Sequence, residues 1–236
     1  MFKKNILIIL ISILIIAIAL TVILVRCSDD YYAANTYITI GGQDVPLDAT
    51  ELAFDITANC DPSLLVQLTD LESLRIIRAR RGVNINSAEL LDAISGLSNL
   101  RELDLGFIQL DDISALGSLD NLTRLYISYA EITNIDVVSS FPLLETLVMH
   151  GNEITDISPL STLGNLVYLY LESNLIDDIS PLRGLESLNE LFLGNNQISD
   201  VSPLSGLKFL QELNLSNNPI EDWSPLEHLY ETEIER

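Results

Sequence analysis

His150 and His228 are the only histidines in the chain, and they are the first residues to test for acid–base or metal chemistry. They stand far apart, with no cysteine or carboxylate partners at metal-ligand spacing. No Gly-x-Ser-x-Gly turn, phosphate-cradling glycine loop or pair of catalytic carboxylates accompanies them. The aspartate pairs Asp111-Asp112 and Asp177-Asp178 recur at a fixed interval, so they read as caps and solvated loop edges rather than calcium ligands. Cys27 and Cys60 are too few for a disulfide framework. A bridge between them is conceivable outside a cell, but nothing fixes the two positions together. These residues predict no enzymatic activity, no cofactor and no metal requirement.

What remains is contact chemistry, and its meaning depends on the elements that hold it. Leu144, Leu166, Leu188 and Leu210 open successive copies of one pattern, about 22 residues apart, a period that marks a solenoid. The clearest copy runs LVYLYLESNLIDDISPLRGLESL over 166–188. Leu169 and Leu171 alternate with Tyr168, Tyr170 and Glu172, the period of two of a strand, with the leucines inward. Asn174 follows where the chain must turn. An inward amide there can satisfy backbone groups that no strand ladder reaches. Asn152, Asn174, Asn196 and Asn218 are expected to stack as a structural ladder, while Ile108 and Ala130 stand at that position in earlier copies. Ser180 is expected to cap a short helical or 3-10 turn, with Pro181 at its first position. Leu182 and Leu185 face in. Single copies cannot cover the entropy of ordering about 22 residues at roughly 1.5 kcal/mol each, so the copies must fold as one stack.

The pattern L-x-x-L-x-L-x-x-N-x-I-x-D-I-S-P-L resembles the leucine-rich repeat, in the short form of the internalin-like bacterial proteins. The resemblance covers most of the chain from about residue 51 onward. It implies an α/β solenoid with a curved parallel sheet on its concave face and short helical or 3-10 turns on its convex side. Internalin-like proteins often continue into an immunoglobulin-like domain and a sorting signal; neither is visible here. Residues 37–50 read as a hairpin covering the first copy, turning at Gly41-Gly42. The repeat domain spans 51–230 and an acidic tail fills 231–236. Leu52, Phe54 and Ile56 with Asn59 look like a degenerate first repeat. The next copy is expected from Leu74 to Leu100, about four residues over length, with Gly82 at its turn.

On this register the outward strand positions form rows. One reads Arg78, Asp104, Tyr126, Val148, Tyr170, Phe192 and Asn214. The row before it reads Ile76, Glu102, Arg124, Thr146, Tyr168, Glu190 and Glu212. Neighbouring strands sit roughly 4.8 Å apart. Tyr126, Val148, Tyr168, Tyr170 and Phe192 therefore form one apolar-aromatic patch, with Tyr129 and His150 at its edge. Exposed aromatic patches mark binding sites; the plainer alternative is the general preference of tyrosine for strands. A second cluster, Arg75, Arg78, Arg80 and Arg81, could hold an acidic partner or pair with Glu102 and Asp104. Arg78 and Arg80 are expected on the concave face.

The chain carries 12 Lys and Arg against 34 Asp and Glu, a net charge of −22. Lys3, Lys4 and Arg26 take three of the basic residues, leaving 9 against 34 for the rest. That balance excludes a nucleic-acid partner and broad adsorption to anionic lipid. The segment 6–25 is apolar apart from Ser12 and Thr21, long enough to span a bilayer as a helix. Residues 1–26 are thus expected to be an uncleaved signal-anchor, with Lys3 and Lys4 cytoplasmic, residues 27–36 as a linker and the repeats outside. Leu24-Val25-Arg26-Cys27 superficially resembles a lipobox, which would make Cys27 a lipidated anchor; Arg26 departs from that pattern. The function expected is recognition of another protein through the concave face of a membrane-tethered, extracytoplasmic module. The competing classes are an envelope spacer or a regulatory subunit of a membrane complex.

Overall fold

The computed structural model describes residues 36–56, 61–78, 86–110, 112–229 and 232–235. The segment 1–26, the linker to residue 35, Cys27, Cys60, Asn59, Arg80, Arg81 and Gly82 lie outside the described residues. Among the described residues no helix is long and apolar enough to cross a membrane.

Strands β1 (Tyr37–Ile40) and β2 (Gln43–Pro46) pair antiparallel. Gly41 and Gly42 both take positive φ, 58° and 83°, as a two-residue hairpin turn demands. Ile40 and Val45 drop from this hairpin into the core. Among the described residues nine parallel strands then stack in chain order: β3 (Glu51–Ile56), β4 (Ser73–Arg78), β5 (Glu102–Asp104), β6 (Arg124–Tyr126), β7 (Thr146–Val148), β8 (Tyr168–Tyr170), β9 (Glu190–Phe192), β10 (Glu212–Asn214) and β11 (Glu233–Glu235). Neighbours pair one repeat apart, Leu169 beside Leu147 and Leu191. Leu166, Leu169, Leu171, Ile176, Ile179, Leu182 and Leu185 of one repeat are all buried, each contributing roughly 1.5–3 kcal/mol.

Opposite the sheet the described returns are 3-10 turns, six residues at Pro62–Gln67, three at Ser224–Leu226 and five in copies such as Ser180–Gly184, except for helix α1 (Ser87–Ser95) between β4 and β5. The cap of these turns is not the expected serine. Ser180 is already inside the turn, and Asp178 accepts from its backbone N–H at 2.8 Å and from its hydroxyl at 2.9 Å. A carboxylate two residues back reaches both donors, which the short serine side chain cannot do for its own N–H. Asp61, Asp112, Asp156, Asp200 and Asp222 act likewise, and Asn134 does so before Asp136.

Two further expectations are corrected. Leu74 pairs with Leu103, not Leu100, so that copy is longer than expected; α1 occupies part of the excess. The leucines at 71 and 74 both fit the opening of the pattern, and the stack selects the phase that buries Ile76. Residues 233–235, expected in a tail, form β11: Ile234 alternates between two glutamates, pairs with Leu213 and packs on the core.

Candidate functional site

The concave rows follow from this register. One row reads Arg75, Asp104, Tyr126, Val148, Tyr170, Phe192, Asn214 and Glu235. The row beside it reads Ser73, Glu102, Arg124, Thr146, Tyr168, Glu190, Glu212 and Glu233. Ile76, expected outward, is 1% exposed, and Arg75 rather than Arg78 stands beside Asp104. The backbone of Arg78 ends β4 opposite Ile56; its side chain, like all of Arg80, lies outside the described residues.

Arg75 joins a closed ionic network. Its Nε lies 3.1 Å from Asp104 Oδ2, its Nη2 lies 3.5 Å from Glu102, and Arg124 reaches Glu102 at 2.7 Å. Burial pushes the Asp104 carboxyl up, partly offset by the Gly106 N–H and by Arg75.

The aromatic residues are brought together as two platforms. Tyr126, Val148, Tyr170 and Phe192 are half-buried side by side, and Tyr168 is 38% exposed in the next row. The Tyr170 and Phe192 rings stack at 4.9 Å, and the Tyr170 hydroxyl donates to Glu190 Oε2. Burial and that carboxylate hold the Tyr170 hydroxyl well above its ordinary value. The second platform is at the turn after the strands. Tyr129 stacks on Phe107 at 5.0 Å and meets the edge of His150 at 5.1 Å. His150 is half-buried, its Nδ1 lies 3.2 Å from the Ser128 hydroxyl, and burial lowers its pKa. Glu172 holds the same turn position one repeat on. Glu172 Oε2 is buried without a partner, and burial raises its pKa.

Phe107 was not among the sequence-predicted residues. The signal for it was one repeat of counting: it precedes Tyr129 at the same turn position. That position is left-handed in every copy from Phe107 to Asn217, with φ of 63° at Phe107 and 54° at Tyr129. Bulky residues rarely adopt this conformation, which costs of order 1–3 kcal/mol. Phe107 is 57% exposed and Tyr129 51%, so core burial does not offset it. Gly151 holds the equivalent place next to Tyr129; a Cβ there would fall 2.4 Å from the tyrosine ring. The glycine is the floor on which that ring lies.

Behind the face the asparagines hold the turns. The Asn174 amide donates to Leu171 O at 2.9 Å and to Met149 O of the previous repeat at 3.1 Å, and its Oδ1 accepts from Ile154 N at 3.0 Å. Asn196 and Asn218 repeat this geometry, and Asn152 accepts additionally from Ala130 N. Ile108 and Ala130 are simply buried. Among the described residues no group of His, Cys, Asp or Glu is arranged to hold a metal.

The family model described as Leucine Rich repeats (2 copies) matches residues 120–162, 142–184 and 186–228. Internalin C2 from Listeria monocytogenes is 30% identical, the match covering 71% of each chain with a TM-score of 0.60. The internalin InlF from the same organism is 29% identical over 80% of this chain and 67% of its own, with a TM-score of 0.66. The functional domain of InlJ, also from Listeria and described as including a cysteine ladder, shares the fold at 24% identity, 79% and 44% coverage and a TM-score of 0.58. No curated protein sequence matches. With a parallel sheet, 3-10 returns, an asparagine ladder and an internalin matched over most of both chains, this chain belongs to the internalin-type leucine-rich-repeat family.

Proposed function

We propose that this protein is a membrane-tethered, extracytoplasmic recognition module that binds another protein through its concave face, without catalysis. One observation carries the reading. The sheet sets Tyr126, Val148, Tyr170 and Phe192 in a single outward row, with Tyr168 beside it, while the core is supplied by the inward leucines. Aromatic groups of this kind anchor protein interfaces. The apolar stretch 6–25 and the lysines preceding it support the tether. Cys27 as a lipidated residue is the alternative anchor.

The test is Tyr170→Ala with Phe192→Ala in the full-length chain. Capture of the native partner from a membrane extract should be lost. Thermal unfolding should shift much less than for Leu169→Ala, which is expected to cost about 2–5 kcal/mol. Capture that survives the double substitution removes the face from the reading and leaves a spacer or a regulatory subunit. Mass spectrometry of the mature chain should show the intact N-terminal segment; a diacylglycerol-bearing start at Cys27 would replace the helix by a lipid.

A further inference from the structure

At the end of the concave face that carries Phe192, the described strands supply no lysine or arginine. The row beside the aromatic row presents Glu190 and Glu212 in succession, and Glu172 closes the turn above Tyr170. All three carboxylates act electrostatically on the Tyr170 hydroxyl. The described residues of β7 to β11 include no lysine or arginine. Like charges therefore press on one another: burial and the charges of Glu190 and Glu233 push the Glu212 carboxyl up. Burial does the same for Glu172, whose Oε2 has no hydrogen-bond partner. At the other end of the same sheet the equivalent carboxylates are answered from within the chain, by Arg75 and Arg124.

Aromatic rings attract cations at their faces, most strongly where the site is partly desolvated. The Tyr170–Phe192 stack is half-buried and rimmed by carboxylates, which is the environment a guanidinium or ammonium group fills best. Resting on the concave-face reading above, we infer that the partner is a basic protein segment that sets a lysine or arginine against the Tyr170–Phe192 stack, within reach of Glu172, Glu190 and Glu212. An acidic partner would meet like charge there and be rejected.

The experiment measures binding of three synthetic peptides to the full-length chain in mild detergent: one alternating arginine with leucine, one alternating glutamate with leucine, and one with glutamine in place of the charges. The arginine peptide should bind tightest, and raising salt should weaken it. Glu190→Gln with Glu212→Gln should weaken it by about tenfold, and Glu186→Gln, on an exposed carboxylate next to a 3-10 turn, should not. Equal binding of the arginine and glutamine peptides, both lost in the Tyr170→Ala, Phe192→Ala variant, would overturn the basic partner and keep the face. Preference for the glutamate peptide would overturn it outright. Arginine-peptide binding that ignores Tyr170 and Phe192 would overturn both the inference and the face on which it rests. Circular dichroism on each variant separates lost binding from lost fold.

Discussion

The two ends of the concave sheet share one inner frame and differ in how their outer charges are settled. Around β4 to β6, Arg75 and Arg124 close on Glu102 and Asp104, and the turns behind them are filled by Ile108 and Ala130. From β8 onward the turns are tied by Asn174, Asn196 and Asn218, while the outward carboxylates face no lysine or arginine from the described strands. The first end resolves its electrostatics internally and gains little from a partner. The second has a firmly tied scaffold and an unresolved surface, the combination expected of a binding region, where rigidity limits the entropy lost on association.

The sharpest way to break this contrast is the ladder. Asn174→Ala strands Ile154 N and leaves Leu171 O and Met149 O with one amide donor each, from Asn196 and Asn152, so chemical denaturation should show a loss of about 1–3 kcal/mol. A loss inside about 0.5 kcal/mol, the range of ordinary surface changes, would mean the ladder is incidental. Next come the charges. Arg75→Met should destabilise by about 1–2 kcal/mol, between the exposed and buried limits for ion pairs, because Asp104 and Glu102 keep their charges without it. Glu212→Lys, by contrast, should stabilise by less than about 1 kcal/mol, since it adds a cation where carboxylates crowd. If the two substitutions moved stability in the same direction, the ends would not differ electrostatically.

Glu172→Gln tests the same end through pH. Burial raises the folded-state pKa of Glu172, so the folded chain holds that proton more tightly than the unfolded chain. The penalty for its charge is absent below the unfolded value of about 4.3 and grows as pH rises through the folded value. The substitution should therefore stabilise by about 1 kcal/mol at neutral pH, the low end of the cost of an unpaired buried acceptor, and give no advantage near pH 4. The smallest effect belongs to the convex side. Hydrogen bonds from Ser202 hold the Asp200 carboxyl below its ordinary value, so its contribution is present at neutral pH and fades as pH falls through that lowered value. Asp200→Asn should leave the neutral melting temperature nearly unchanged, as Asn134 serves the same turn in its own copy, and should remove that acid sensitivity.

The solenoid itself was legible because its signal is repeated: the leucines at fixed intervals define the inward face, and the asparagine recurs with them. Legibility failed where one copy had to be read alone. Leu71 and Leu74 offered two phases for β4, and only pairing with Leu103 decides between them, moving Arg75 into the concave row. The aspartate pairs were legible as caps, but a Ser-Pro signal that fits longer helices assigned the cap of this turn to Ser180 instead of Asp178. Phe107 lay one repeat before Tyr129, where the patch drawn from the strands had stopped, although the two share one turn position. The lone Oε2 of Glu172 depends on what its neighbours fail to supply, which no spacing encodes.

The left-handed turn position accepts phenylalanine, tyrosine, glycine, serine and asparagine at 107, 129, 151, 173, 195 and 217 without a change in backbone path. Side-chain identity there is uncoupled from chain trace, because the frame on either side dictates the trace. The consequence is a programmable strip along one rim, at the spacing of the strands, where the side chains on either side of Gly151 can be exchanged without redrawing the scaffold. Moving the aromatic pair from 107 and 129 to 195 and 217 would transplant a contact surface by two substitutions at its new place and two at its old one. A lineage of such proteins could shift its specificity along this rim by point changes alone, with the leucine frame as a constant chassis.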